Sequence, residues 1–270
     1  MRILFLGDIV GRAGRTAVIA QLPRLIDRFS LDFVVANGEN AAGGFGITEA
    51  TCSDLLNSGI DVITLGNHAF DQRETLTFIA HQDRLLRPSN YPAHTPGRGA
   101  NIFLAKNGAR VLVINVMGAL FMNDLDDPFA ALDRELSSCQ LGNQADCAIV
   151  DVHAEATSEK QCLAAYVDGH VSLVAGTHTH VPTADHRILP AGTAYISDLG
   201  MCGNYDSILG MEKEEMLSRF LNKVKKHRME PAAGPGTISG VIVDIGSNGL
   251  ALKIYPLRIG EGLEETWPSL

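Results

Sequence analysis

The sequence predicts a layered α/β fold, central mixed β-sheets flanked by helices, on three observations. Apolar runs of strand length alternate with stretches of helical period through the first two-thirds of the chain. The last part reads as two apolar runs joined by an Asn-Gly turn, the signature of a β-hairpin. With 270 residues, 46% hydrophobic and 20% charged, the chain can bury a substantial core.

The elements follow in order. Residues 3–6 read as a strand, and residues 15–29 as an amphipathic helix with Val18, Ile19, Leu22, Leu25 and Ile26 on one side. Residues 33–36 form a second strand, 48–56 a helix and 62–65 a third strand. The runs at 111–116, 148–152 and 173–175 read as central strands, with helices at 128–136 and 158–166 between them. A hairpin at about 237–257 closes on Asn248-Gly249; being too small to fold alone, it is expected to add strands to one domain spanning 1–270.

Charge and composition exclude several functions. The net charge is −9, and no Lys/Arg block is long enough to form the basic face of a nonspecific nucleic-acid binder. Residues 223–228 come nearest, but Glu212, Glu214, Glu215 and Glu230 flank them, and the stretch reads as the solvated face of a helix. The opening apolar run is too short for a signal peptide, and no run approaches a membrane span. Cys52, Cys139, Cys147, Cys162 and Cys202 show no C-x-x-C pairing, so they read as buried free thiols in a cytoplasmic protein.

The chemistry sits where the strands end. Gly7-Asp8 follows the first strand, Asn37-Gly38-Glu39-Asn40 the second, and Gly66-Asn67-His68 the third. The run at 148–152 leads into His153, and that at 173–175 into Gly176-Thr177-His178-Thr179-His180. In open α/β sheets, ligands bind beyond the carboxyl ends of the strands, so these groups are expected to meet on one rim. His178 and His180, two residues apart, would share a side in extended backbone, with Gly176 allowing close approach to a metal. Asp8, Glu39, Asn40, Asn67, His153, His178 and His180 supply two carboxylates, two amide oxygens and three imidazoles. That is more than one ion uses and enough for two. Mixed N/O donors suit manganese, iron, cobalt or zinc, with the choice left open.

The order Asp8, Glu39-Asn40, Gly66-Asn67-His68, His153, Gly176-x-His178-x-His180 resembles the calcineurin-like binuclear metallophosphoesterases. Two departures, Asp8-Ile9-Val10 without the usual histidine and Glu39 in place of the usual aspartate, resemble the YmdB-type branch of that family. So do the stretches at 38–46, 87–92 and 193–201. The resemblance implies a phosphodiesterase acting on 2′,3′-cyclic nucleotides such as 2′,3′-cyclic AMP, with two divalent metal ions, commonly iron or manganese and alternatively zinc, cobalt or magnesium. By carry-over, Asp8, Glu39, Asn40 and His180 would hold one ion; Glu39 as bridge, Asn67, His153 and His178 would hold the other. A hydroxide bridging the ions would attack phosphorus, and His68 would act as the catalytic acid. The resemblance also implies self-association, the number of subunits being open.

Two other readings compete. Residues 7–14 loosely resemble a dinucleotide-binding loop, but the spacing is G-x-x-x-G-x-x-G and Asp8 would face the pyrophosphate. A metal-binding regulatory or scaffold protein with little turnover is the second. Phe45, Tyr91, Met117, Phe121, Met122 and Tyr205 are candidates to contact a base, though core packing accounts for them as well. His81, His94, His170, His186 and His227 hold no strand-end position and read as surface or structural residues.

Overall fold

The computed structural model describes residues 1–223, 225 and 227–269. Its first half contains β1 (Arg2–Leu6), β2 (Asp8–Ile9), α1 (Gly11–Phe29), β3 (Phe33–Asn37), α2 (Glu49–Asn57), β4 (Val62–Thr64), α3 (Thr75–Phe78) and β5 (Leu85–Leu86). A second run comprises β6 (Ala100–Leu104), β7 (Arg110–Met117), α4 (Pro128–Ser138), β8 (Cys147–His153), α5 (Thr157–Tyr166) and β9 (Leu173–Thr177). There follow β10 (Arg187–Ile188), β11 (Ala194–Ile196), β12 (Met201–Cys202), α6 (Lys213–Asn222), β13 (Ile238–Ile245) and β14 (Ala251–Ile259).

Two six-stranded sheets result, with orders β14-β13-β1-β3-β4-β5 and β10-β11-β9-β8-β7-β6. Within them β1, β3, β4 and β5 run parallel, as do β7, β8, β9 and β11. Both faces of these strands are covered, which is why they read as unbroken apolar runs with no alternation. Ile3, Phe5, Phe33 and Val35 from the first sheet pack against Val111, Val113, Ile149 and Leu173 from the second. Helices α1 and α2 cover the outer face of the first sheet, and α4 and α5 that of the second. The layers are therefore helix, sheet, sheet, helix. Truncating a filler such as Leu22 to alanine would cost about 2–5 kcal/mol.

The hairpin joins the first sheet: β13 pairs antiparallel with β1, from Arg2↔Asp244 to Leu6↔Gly240. Its turn places Gly249 at φ 80°, a conformation that favours glycine. Helix α1 begins four residues before the sequence-based start at 15. Gly11 turns at φ 58° and Val10 offers no side-chain cap, so no start signal was there to read. Among the described residues of the basic stretch 223–228, none continues a helix as expected. Helix α6 ends at Asn222, Lys223 is left-handed at φ 53°, and residues 224 and 226 lie outside the described residues. Among the described residues, no helix is long and apolar enough to cross a membrane.

Candidate metal centre

The strand-end groups do converge, but on a seam between two sheets and not on the rim of one. From the side of the first sheet come Asp8, on β2 just beyond β1 and paired with β12 in a separate two-stranded sheet, Glu39 and Asn40 after β3, and Asn67 after β4. From the second come His153, the last residue of β8, and His178 and His180 just past β9. Backbone contacts tie the seam together: the His178 N–H donates to both Asp8 carboxylate oxygens, at 3.3 and 3.2 Å.

His153 is the centre of one half of the cluster. Its Nε2 lies 2.9 Å from Glu39 Oε1, 3.0 Å from Asn67 Oδ1 and 3.1 Å from His178 Nδ1. The other half is looser. His180 Nε2 is 3.2 Å from Asn40 Oδ1 and 3.8 Å from Asp8 Oδ1. His153 Nδ1 lies 3.9 Å from the same Asp8 oxygen, which links the halves. Gly66 makes the packing around Glu39 feasible, since a Cβ there would stand 2.2 Å from His153 Nε2 and 2.5 Å from Glu39 Oε2.

The outer partners orient each ring. Thr177 Oγ1 donates its proton to Asp151 Oδ1 at 2.7 Å, so towards His153 Nδ1, 2.9 Å away, it can only accept. In its neutral form His153 therefore carries its proton on Nδ1 and turns the Nε2 lone pair to Glu39 and Asn67. His180 Nδ1 donates to the Leu209 carbonyl at 2.9 Å, leaving its Nε2 for Asn40 and Asp8. His178 Nε2 faces the Glu155 carboxylate at 3.2 Å, leaving Nδ1 for the cluster. Asn40 Nδ2 donates to the Gly44 carbonyl at 2.9 Å, so its oxygen also points inward. Lone pairs thus face lone pairs, which is repulsive unless a proton or cation lies between them.

The electrostatics agree. Burial opposes charge on His153, yet the carboxylates of Glu39, Asp8 and Asp151 outweigh it and raise the ring to about 9. Burial likewise works against a charged Glu39, but the facing His153 brings it down to about 2. Burial raises Asp8 to about 6 against the attraction of His180 and His153. His178 falls to about 3 through burial and then the neighbouring His153 charge. The carboxylates that hold a proton at this point would hold a cation there. Spacing fits as well: donors at 2.0–2.2 Å from a shared ion stand roughly 3.0–3.5 Å apart, and Glu39, His153 and His178 offer atoms all within 4.8 Å of one another.

Several expectations need correction or addition. His178 and His180 do not share a side of extended backbone; both are left-handed, at φ 93° and 65°, and their rings face different halves of the cluster. Gly176 serves packing, not approach to the site, because a Cβ there would meet Ser197 O at 1.8 Å and Lys160 Cδ at 2.9 Å. The strained histidine turn is held from behind by residues that sequence reading missed. Lys160, 1% exposed, donates from Nζ to Thr177 O and Asp198 Oδ2, each at 2.8 Å. Asp198 also accepts from the N–H of Thr179 at 3.1 Å and of Gly200 at 2.8 Å. Asp151, fully buried, binds Asn37, Thr64 and Thr177 beneath His153. A carboxylate inside an apolar strand, two residues before a histidine and so on its face, was the available signal.

His68 stands apart from the converging donors. Its backbone N–H donates to Glu39 Oε2 at 2.9 Å, its Nδ1 lies 2.8 Å from Asp71 Oδ2, and Phe45 packs edge-on against the ring at 5.1 Å. Tyr91 stacks edge-on with Phe70, and Phe121 is exposed. Met117 is core, and the Tyr205 hydroxyl bonds the backbone of Met201.

Comparison with known proteins agrees with this architecture. A 2′,3′-cyclic-nucleotide 2′-phosphodiesterase of Bacillus subtilis (strain 168) is 47% identical over 245 residues, 91% of each chain. A crystal structure of a hypothetical protein from Thermus thermophilus superposes with a TM-score of 0.89 at 43% identity, covering 97% of this chain and 100% of that one. A phosphatase from Mycoplasma pneumoniae gives the same TM-score of 0.89 at 32% identity, covering 99% and 95%. A 5′-nucleotidase precursor, also from Thermus thermophilus, at 13% identity and a TM-score of 0.58, shares the fold; 96% of this chain matches 54% of that one. The family model for YmdB-like protein matches residues 4–257, and the chain belongs to that family.

Proposed function

We propose that this protein is a metal-dependent phosphodiesterase that hydrolyses 2′,3′-cyclic nucleotides such as 2′,3′-cyclic AMP. One observation carries the reading: His153 Nε2, Glu39 Oε1, Asn67 Oδ1 and His178 Nδ1 crowd within hydrogen-bond distance, with partners behind them that turn lone pairs inward. The name of the Bacillus subtilis relative supports the substrate class. Asp8, Glu39, Asn40 and His180 would hold one divalent ion, and Glu39, Asn67, His153 and His178 the second, iron or manganese by family resemblance. When bound, the ions would supply a water of lowered pKa and positive charge against the phosphate oxygens. Two buried carboxylates leave such a pair of dications with a positive surplus, which would draw a phosphodiester to a chain of net charge −9.

His68 is assigned the proton transfer to the leaving ribose oxygen. Asp71 engages Nδ1, so Nε2 is the nitrogen left to hold and hand over a proton. The same reading takes residues 1–270 as one domain, supported by the pairing of β13 with β1, and as cytoplasmic, in keeping with five free cysteines. The test is metal analysis of the purified protein, paired with assays on 2′,3′-cyclic AMP, bis-p-nitrophenyl phosphate and a simple monoester. Roughly two ions per chain and metal-dependent cleavage of the cyclic diester are expected. No metal-dependent hydrolysis of any of the three would leave the scaffold reading in its place.

A further inference from the structure

The described residues hold a second concave region that the chemistry above does not use. It is an open groove of about 890 Å³, bounded by the start of α1, the turn at Ala42 and Gly43, the start of α2 and the segment 228–234. Arg12, Arg15 and Arg228 line it, against one carboxylate, Glu230. Among the described residues these arginines form no ion pair, and neither do Arg24, Arg28, Arg73, Arg84, Arg87 and Arg258; what sets Arg12, Arg15 and Arg228 apart is that they line one groove. In a chain with 31 acidic and 22 basic residues, three unpaired guanidinium groups around one groove are conspicuous.

Holding them there works against the local physics. Burial, and then the charge of Arg12, lowers the pKa of half-buried Arg15. Arg12 and Arg15 stand in the opening turns of a 19-residue helix, where the dipole disfavours cations, and no acidic residue offsets them in the first turn. Arg15 gains one backbone hydrogen bond there, whereas the Arg12 and Arg228 side chains make none among the described residues; a departure from local rules with so little structural gain points to a ligand. The groove also shares a wall with the candidate metal centre. Asn40 faces that centre, the next residues Ala42 and Gly43 face the groove, and Arg15 Nη1 donates to the Ala41 carbonyl between them. At Gly43, φ 62°, nothing lies within 4 Å of where a Cβ would stand, so this lip is open.

We propose that the groove binds a phosphate group other than the one being hydrolysed, held by Arg12, Arg15 and Arg228. That phosphate is carried either on the substrate itself or on a separate small anion. The first source rests on the phosphodiesterase reading; the anion site does not.

Arg12 and Arg228 are exposed, so the variant Arg12→Gln/Arg228→Gln removes two charges without touching the contact of Arg15 with Ala41. The metal-loaded, full-length protein would be assayed with 2′,3′-cyclic AMP and with the same nucleotide carrying a 5′-phosphate, and titrated calorimetrically with inorganic phosphate. If the phosphate rides on the substrate, the 5′-phosphorylated nucleotide shows a KM about tenfold lower. The double variant then erases that advantage while leaving turnover of 2′,3′-cyclic AMP within about twofold. If the anion is separate, a phosphate-binding phase present in the parent disappears in the double variant and tightens in Glu230→Gln. Equal KM ratios together with equal phosphate isotherms in parent and double variant overturn the proposal. Failure of the parent to cleave either nucleotide would count against the phosphodiesterase reading alone, because the phosphate isotherm still reports on the groove.

Discussion

The two halves of the donor cluster are built differently. Around His153 the donors stand 2.9–3.1 Å apart, and the histidine itself is the last residue of a central strand. Around His180 the spacings open to 3.2 and 3.8 Å, and its ring is steadied by the carbonyl of Leu209, on a loop where that residue is itself left-handed at φ 53°. Strand ends inherit their position from the sheet register. Loop residues must obtain theirs from hydrogen bonds and tolerated strain. The His153 half is therefore expected to be the tighter metal site and the His180 half the exchangeable one.

The largest expected effect erases the contrast. Glu39→Ala should empty both halves and abolish turnover, measured by metal analysis; two ions retained per chain would remove Glu39 from its bridging place. His180→Ala should lose one ion and keep the other, and loss of both would show that the halves fill together. His68→Ala should leave metal content intact while activity falls about 10²–10⁴-fold; equal loss of metal would move His68 into the cluster. Thr177→Val removes the hydroxyl that backs His153 and bonds Asp151 beneath it, and should weaken metal binding about 10–100-fold. A titration would resolve it: weakening confined to the His180 half would contradict the placement.

The smallest effect uses thiols as local probes. Burial pushes Cys147, at the start of β8, and Cys202, on the two-residue β12, up to about 12. Below that pH both stay protonated and unreactive while folded, and react only on opening, when their pKa returns to about 8.5. Cys162, expected to be buried like the other four, is instead exposed and should label at once. In mild urea at pH 8, Cys202 should then precede Cys147, and the reverse order would make the loop-built half the more stable of the two.

Much of this site was legible because strand ends announce themselves. Asp8, Glu39, Asn40, Asn67, His153, His178 and His180 each follow or finish an apolar run. The division into two sheets was not legible, since parallel strands buried on both faces look alike whichever sheet they join. Short strands β10 and β12 carry too few residues for any period to show. Lys160 reads like any lysine on an amphipathic helix, and only the fold reveals its pairing with Asp198. Local propensity likewise pointed away from the left-handed His178 and His180, whose conformation is imposed by contacts with Asp8, Asp198 and Leu209.

Because the centre straddles the seam, the apolar filling between the sheets works as a spacer for chemistry it never touches. Phe5 and Phe33 press from one sheet, Ile149 and Leu173 from the other, and their combined thickness decides how far Asp8 stands from the His178 backbone. A change of one methylene there would be felt as a misfit among the donors, so this core is calibrated as much for distance as for stability.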